Sequence, residues 1–124
     1  MNKNKALIVE DNAINALVLK KAIAQEFEPV HVKNDREVFD ALTRDTFQIV
    51  FMDINLGGHS LDGESIMRQL KADARYQHLP VVAVTSYALP GDRERFLAAG
   101  FDGYLAKPIQ RQEVLAHIRG RLGS

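Results

Sequence analysis

The amino-acid sequence predicts a doubly wound α/β fold, in which helices cover both faces of an open parallel sheet. Five short apolar runs alternate with longer stretches in which apolar residues recur at helical spacing. The runs are continuous rather than alternating, which is typical of parallel strands that are buried on both faces. Because crossover connections are right-handed, such units wind into a sheet whose ligands bind beyond the carboxyl ends of the strands.

The first βα unit has a strand over about 6–10 and a helix over 13–26. Asn12 is a suitable N-cap, because its side-chain oxygen can accept from the free amides of the first helical turn. The second unit has a short strand over 29–32 and a helix that Asp35 is expected to cap. The apolar residues at helical intervals are Ile14, Leu17, Val18 and Ala22 in the first helix, and Val38, Phe39 and Leu42 in the second.

The third unit has a strand over about 48–53, a glycine-rich loop over 55–63, and a helix with Ile66, Met67 and Leu70. In the fourth unit, a strand over 81–85 precedes a helix that contains Phe96 and Leu97. Gly100 is expected to end this helix, because glycine readily adopts the left-handed backbone found at helix C-termini. The fifth unit has a strand over about 102–106 and a helix over 110–122, with Val114, Leu115, Ile118 and Leu122.

The composition argues against several classes of function. Sixteen basic and sixteen acidic residues cancel, so no overall charge attracts nucleic acid or an anionic membrane. The absence of cysteine excludes disulfides and thiolate sites. No apolar stretch approaches the roughly 18 residues that a membrane span needs. We therefore expect one cytoplasmic domain over 1–124. The histidines show no pair at metal-ligand spacing: His31, His59, His78 and His117.

Polar side chains follow the apolar runs where the predicted strands end. Because the carboxyl ends of parallel strands meet at one edge of a sheet, we expect these side chains to lie close together. Crowded carboxylates repel one another and call for a cation. Carboxylates, a hydroxyl and a lysine around a metal suit phosphoryl transfer. The residues are Glu10 and Asp11 at the end of the first strand, Asp53 at the end of the third, Thr85 at the end of the fourth, and Lys107 after the fifth.

Four ordered segments carry these residues: 7–12 (LIVEDN), 52–56 (MDINL), 83–86 (AVTS) and 107–109 (KPI). In order and spacing they resemble the receiver domain of two-component response regulators, over essentially the whole chain. The segment 80–92 is most similar to single-domain regulators and to receivers attached to hybrid histidine kinases. The resemblance implies a flavodoxin-like (βα)5 fold with strand order 2-1-3-4-5.

The resemblance also implies a phosphoacceptor and a metal site. Asp53 would attack the phosphohistidine of a histidine kinase or of a histidine phosphotransfer protein. Glu10, Asp11, Asp53 and the backbone carbonyl of Asn55 would hold Mg²⁺. Such a chain is a signalling module rather than an independent enzyme, although it assists its own phosphotransfer and dephosphorylation.

The remaining implied roles concern the phosphorylated state. Lys107 would pair with a phosphoryl oxygen, and Thr85 would donate its hydroxyl to the phosphate. Thr85 and Tyr104 would form a switch that changes affinity for a downstream protein target. The resemblance further implies a cis peptide bond between Lys107 and Pro108.

Two features depart from the usual family pattern. Position 57 is glycine where family members usually have proline, and residues 58–60 lengthen the path to Asp62 and Gly63. We expect this loop to be looser and to depend on the partner. Tyr87 stands at a position that influences how water reaches the phosphoryl group, where a bulky ring is expected to slow hydrolysis.

Two other classes of function remain as alternatives. A phosphohydrolase of the haloacid type also uses an aspartate nucleophile and Mg²⁺, but it has two aspartates one position apart after its first strand. Here that strand is followed by the adjacent pair Glu10 and Asp11, and turnover of a small phosphate ester would identify a hydrolase. The second alternative is a receiver that binds partners without phosphorylation, which the complete set of acceptor residues supports poorly.

Overall fold

In the computed structural model of the protein, the described residues are 4–54, 62–85, 90–107, 112–114 and 116. They form five strands: β1 Asn4–Val9, β2 Phe27–Val32, β3 Ile49–Asp53, β4 Val81–Thr85 and β5 Gly103–Ala106. Their helices are α1 Ala13–Ile23, α2 Asp35–Arg44, α3 Gly63–Ala72 and α4 Asp92–Ala99. Residues 112–114 and 116 are also helical, whereas most of the helix predicted over 110–122 lies outside the described residues. None of the described helices has the length and apolar character needed to cross a membrane.

The strands form one parallel sheet in the order β2-β1-β3-β4-β5. This confirms the predicted doubly wound fold and the strand order that the resemblance implies. The order in which successive strands are added reverses at β1, which pairs with β2 on one side and β3 on the other. In such sheets the ligand crevice lies where this order reverses, so we expect it between the carboxyl ends of β1 and β3.

The strands are buried on both faces, as their continuous apolar runs predict. Alternate residues of β1 enter two separate core clusters: Leu7 and Val9 in one, Ala6 and Ile8 in the other. The first cluster includes residues of α2 and α3, and the second includes residues of α1. The sheet edge is therefore held between two packed layers, which gives the strand ends a rigid support.

Most of the apolar residues predicted to recur along α1 do not face the core. Ile14, Leu17 and Val18 are 73%, 50% and 44% exposed, and of that set only Ala22 is buried. The helix is apolar on most sides, so its periodicity could not identify the face that meets the sheet. The side chains that do face the core are Ala16, Leu19, Ala22 and Ile23.

The predicted helix boundaries are confirmed at some positions and corrected at others. Asn12 caps α1 by accepting from the amides of Ile14 and Asn15 at 2.9 and 3.0 Å. The cap of α2 is Asn34 rather than Asp35, because the Asn34 side chain accepts from the Glu37 amide and Asp35 is already helical. Gly100 ends α4 with a φ of 128°, as predicted.

The strand β2 begins earlier than predicted, at Phe27, and includes Pro29. It pairs only with β1 among the described strands, and an edge strand tolerates proline because its outward N–H has no ladder partner to lose. The strand β1 ends at Val9, so Glu10 lies just beyond the regular sheet.

Candidate functional site

Three carboxylates meet at the crevice between β1 and β3. The register that pairs Val9 with Met52 brings the next residues, Glu10 and Asp53, to the same edge. Glu10, Asp11 and Asp53 each offer an oxygen, and these oxygens lie within 4.8 Å of one another. Asp53 and Glu10 are buried at 4% and 5% exposure, whereas Asp11 is exposed. The structure thus brings together the three acids that sequence analysis placed at the strand ends.

Lys107 follows β5 and places its ammonium against two of these acids. Its Nζ donates to Glu10 Oε1 at 2.8 Å and lies 3.7 Å from Asp53 Oδ1. The cation offsets part of the repulsion between the two buried carboxylates. In this structure its shorter contact is with Glu10, a pairing that sequence reasoning did not anticipate.

The pKa of Glu10 is raised from 4.5 to about 7. The largest cause is burial, which disfavours the charged carboxylate, and the neighbouring Asp53 acts in the same direction. The Lys107 ammonium and the Asn12 amide, which lies 3.2 Å from Glu10 Oε2, lower the pKa in part. A divalent cation at the cluster would favour the charged forms and so reverse the upward shift.

Thr85 is the last residue of β4 and is 2% exposed. Its neighbour Val84 pairs with Asp53 on β3, so Thr85 lies one position further toward the carboxyl edge. Its carbonyl oxygen accepts from the Lys107 amide at 2.8 Å. This hydrogen bond joins the ends of β4 and β5, so Thr85 and Lys107 lie together at the edge of the sheet that carries the acids.

Tyr104 on β5 is half-buried and packs against α4. Its ring stacks on Phe96 with 5.8 Å between centroids and 20° between planes. The guanidinium carbon of Arg95 lies 4.2 Å from the centroid of the Phe96 ring. Burial raises the pKa of the Tyr104 phenol, and Asp92 adds to this shift. Sequence reasoning recognised Phe96 as apolar but did not predict that it would contact the proposed switch residue.

Gly63, the first residue of α3, lies directly against the end of β3. A Cβ at this position would overlap the carbonyl oxygen of Asp53 and would lie 2.9 Å from Met52 Cγ. Glycine is therefore needed for the close approach of α3 to Asp53. Sequence analysis named Gly63 only as the end of the glycine-rich loop and of its lengthened path. It did not predict the contact, because the contact depends on the return of the chain to β3.

The other site predictions fall partly outside the described residues. Asn55, with its proposed carbonyl ligand, is outside them, and so are Tyr87 and Pro108. The loop predicted to be looser is described only at its end, residues 62 and 63. The metal-ligand, hydrolysis and cis-peptide statements about these residues stay predictions.

A sequence model described as the response regulator receiver domain matches residues 6–119. The chain belongs to this receiver family. Among curated relatives, the polar-differentiation response regulator DivK of Brucella anthropi is 33% identical over 118 residues, which are 94% of each chain. The receiver is therefore a module of two-component signalling, and the family match favours this class over a haloacid-type hydrolase.

Solved receiver domains of histidine kinases are also similar to this receiver. One, from the sensor histidine kinase PA1611 of Pseudomonas aeruginosa, has 32% identity and a TM-score of 0.84, and the match covers 98% of this chain and 99% of that one. Another, from Syntrophus aciditrophicus, has 28% identity and a TM-score of 0.82, with 96% and 89% covered. The Pseudomonas domain was crystallised with a magnesium ion coordinated in its active-site cleft.

The acidic cluster of this receiver fits a hard divalent cation. Mg²⁺ prefers a few carboxylate oxygens together with retained waters. Glu10, Asp11 and Asp53 provide such oxygens at mutual distances that one ion can span, and the exposed Asp11 marks a side that water can reach.

Proposed function

We propose that this receiver accepts a phosphoryl group from a phosphohistidine onto Asp53, with Mg²⁺ required, and that the resulting aspartyl phosphate changes its binding to a downstream protein. The main support is the burial of the Asp53 carboxylate at the crevice, among two further acids and the Lys107 ammonium. Burying a charged carboxylate costs free energy unless its neighbours offset the charge, and such buried charges are typical of functional sites.

Asp53 suits the role of nucleophile better than either of its acidic neighbours. The Glu10 side chain joins Lys107 and the Asn12 amide, since Oε1 accepts from Lys107 and Oε2 accepts from the amide, and this suits a residue that holds the site together. Burial raises the pKa of Glu10 to about 7, so this carboxylate takes up a proton more readily than an ordinary glutamate when no cation is bound. Asp11 is exposed, and its position suits a ligand at the open side of the site.

The proposed reaction is a direct displacement at phosphorus. An oxygen of Asp53 forms a bond to phosphorus as the P–N bond of the phosphohistidine breaks, and the donor's imidazole departs with that electron pair. Lys107 pairs with a phosphoryl oxygen, and Thr85 donates its hydroxyl to another. When bound by Glu10, Asp11 and Asp53, Mg²⁺ neutralises charge on the transferring group.

The consequence of phosphorylation is a shift between two arrangements of the β4 end. The phosphoryl group adds roughly 1.5 to 2 negative charges and new acceptor oxygens beside Thr85 and Lys107. If these residues bind the group better in one arrangement, that arrangement becomes more populated. Tyr104 can then occupy the space that Thr85 leaves, which alters the surface around α4 and β5.

The partners follow from this chemistry. The donor is a histidine kinase or a histidine phosphotransfer protein, and the acceptor of the signal is a downstream protein that contacts 88–96 and 104–112. We place the receiver in the cytoplasm and expect it to assist its own dephosphorylation. It should show no turnover of small phosphate esters beyond loss of its own phosphoryl group.

The test compares Asp53→Asn with Asp40→Asn, a control at an exposed position on α2. Each protein is incubated with Mg²⁺ and acetyl phosphate or a cognate kinase, and the acid-labile phosphate on the protein is measured. We expect Asp53→Asn to abolish labelling and Asp40→Asn to retain it. Undiminished labelling of Asp53→Asn would refute the assignment of the phosphoacceptor.

A further inference from the structure

The backbone carbonyl of Glu10 is held by a side chain from β2, a strand that provides none of the acids in the described cluster. His31 Nε2 lies 2.6 Å from this carbonyl oxygen. Because a carbonyl oxygen only accepts, the ring nitrogen that faces it must carry the hydrogen. His31 is half-buried and directly precedes the last residue of β2.

This contact replaces a ladder hydrogen bond that the sheet cannot supply. The strands β1 and β2 pair as far as Val9 and Val32, and the Glu10 amide still donates to the Val32 carbonyl at 3.0 Å. In a continued parallel ladder, the Glu10 carbonyl would accept from the amide two residues beyond Val32. That residue is Asn34, which has left the strand and caps α2. The imidazole of His31 is the donor that takes the place of this amide.

The geometry of the acids depends on the peptide that His31 holds. The Glu10 carbonyl and the Asp11 amide belong to one planar unit, so fixing the carbonyl also fixes the direction in which the chain enters Asp11. The Asn12 amide then donates to Glu10 Oε2 at 3.2 Å, and Asn12 caps α1. Two of the proposed Mg²⁺ ligands therefore stand on either side of a peptide bond that β2 orients.

We propose that His31 is a positioning residue for the metal site, and that its Nε2–H holds the Glu10–Asp11 peptide so that both carboxylates face one cation. The inference rests on the proposed function for the identity of the cation. His31 contacts neither the cation nor the phosphoryl group, and it acts through the backbone of Glu10. Removing a partner that orients a metal ligand typically weakens metal binding by roughly 10- to 100-fold.

The test is a Mg²⁺ titration of the full chain in which binding is measured by amide NMR or calorimetry. His31→Leu removes the donor, and we expect it to weaken Mg²⁺ binding by roughly tenfold, the lower end of the effect of losing such a partner. His31→Gln retains an N–H donor of similar reach and should recover most of the affinity. The matched control is His78→Leu, because His78 is exposed and lies before the amino end of β4, away from the carboxyl ends that carry the acids. The Mg²⁺ affinity of this variant should equal that of the wild type.

A urea titration of each variant separates positioning from a general loss of stability. Equal Mg²⁺ affinity in His31→Leu and the wild type overturns the inference, and so does a His31→Gln that binds as weakly as His31→Leu despite being equally folded. Should His31→Leu fail to fold, the ring tautomer of the wild type decides by nitrogen NMR, because an unprotonated Nε2 contradicts the hydrogen bond. If the wild type takes up phosphate with Mg²⁺ and His31→Leu binds Mg²⁺ equally well, the proposed function stands and this inference fails. If the wild type binds no Mg²⁺, both fail.

Discussion

Glu10 and Lys107 show how much of the site depends on individual charges. Their side chains are 2.8 Å apart, although the residues are 97 positions apart in the chain. Removing one partner from this partly buried pair would leave the other charge with less compensation. Lys107 therefore stabilises the acids before any phosphoryl group arrives, and it must turn from Glu10 toward the phosphoryl oxygen in the proposed reaction.

The raised pKa of Glu10 predicts how the free energy of unfolding of the metal-free protein varies with pH. The folded state holds this proton up to about pH 7, whereas the unfolded chain releases it near 4.5. Between these values the folded state binds more protons than the unfolded state. The contribution of Glu10 to the free energy of unfolding is therefore complete below pH 4.5 and is lost as the pH rises through about 7. In urea titrations, the free energy of unfolding of Glu10→Gln minus that of the wild type should be about 1–3 kcal/mol more favourable at pH 8 than at pH 4.

The control for this pH experiment is Glu28→Gln, since Glu28 is an exposed residue of β2. Its pH dependence should follow that of the wild type. A Glu10→Gln difference that does not change between the two pH values would contradict the assigned cause. Added Mg²⁺ should oppose the wild type's loss at high pH, because the cation binds the deprotonated acids.

Among the elements beside the site, the helix α3 begins directly against the end of β3. Gly63 has no room for a side chain, since a Cβ would overlap the Asp53 carbonyl oxygen. The helix can begin there because Asp62 caps it, accepting from the Ser65 amide at 2.8 Å. The position of Asp53 is thus supported by the first turn of α3 as well as by the sheet.

We expect Gly63→Ala to lower the free energy of unfolding by about 1–3 kcal/mol, because the added methyl group must displace α3 or the end of β3. It should also reduce the rate of phosphate uptake from acetyl phosphate, since Asp53 moves with its backbone. The matched control is Gly91→Ala. Gly91 has a φ of 86° but no atom within 4 Å of a built Cβ, so its cost is conformational only. Unaltered uptake and stability in Gly63→Ala would show that the contact is readily relieved.

At the scale of the whole molecule, the sheet links the crevice to the surface of α4 and β5. The β4 end carries Thr85, the adjacent strand carries Tyr104, and Tyr104 stacks on Phe96 of α4. Any movement of Tyr104 toward the position of Thr85 must alter this stack. In the proposed switch, a change at Asp53 would reach the surface of α4 through Thr85, Tyr104 and this stack.

Thr85→Ala tests this connection. The variant should still be phosphorylated on Asp53, but the phosphorylation-dependent change in affinity for the downstream partner should fall at least severalfold, because the hydroxyl that draws β4 inward is lost. Amide NMR before and after phosphorylation should show shifts that reach Tyr104 in the wild type and stay near Asp53 in the variant. Thr43→Ala, at an exposed position on α2, should behave as the wild type. A full affinity change in Thr85→Ala would contradict the proposed switch.

The fold and the grouping of the acids could be predicted from the sequence because both follow from local patterns. Continuous apolar runs indicate buried parallel strands, and polar residues after such runs must meet at one edge of the sheet. That reasoning needs no distance between particular side chains. It therefore placed Glu10, Asp11, Asp53, Thr85 and Lys107 at the same edge.

The finer features depended on how distant segments pack. The buried side of α1, the pairing of Lys107 with Glu10, the close approach of Gly63 to Asp53 and the contact of His31 with the Glu10 carbonyl each join residues from different elements. Hydrophobic periodicity reports which residues share a face of one element, but not which neighbour that face meets. Whether a hydrogen bond or a steric contact forms depends on distances to within a few tenths of an ångström, so these features required the tertiary structure.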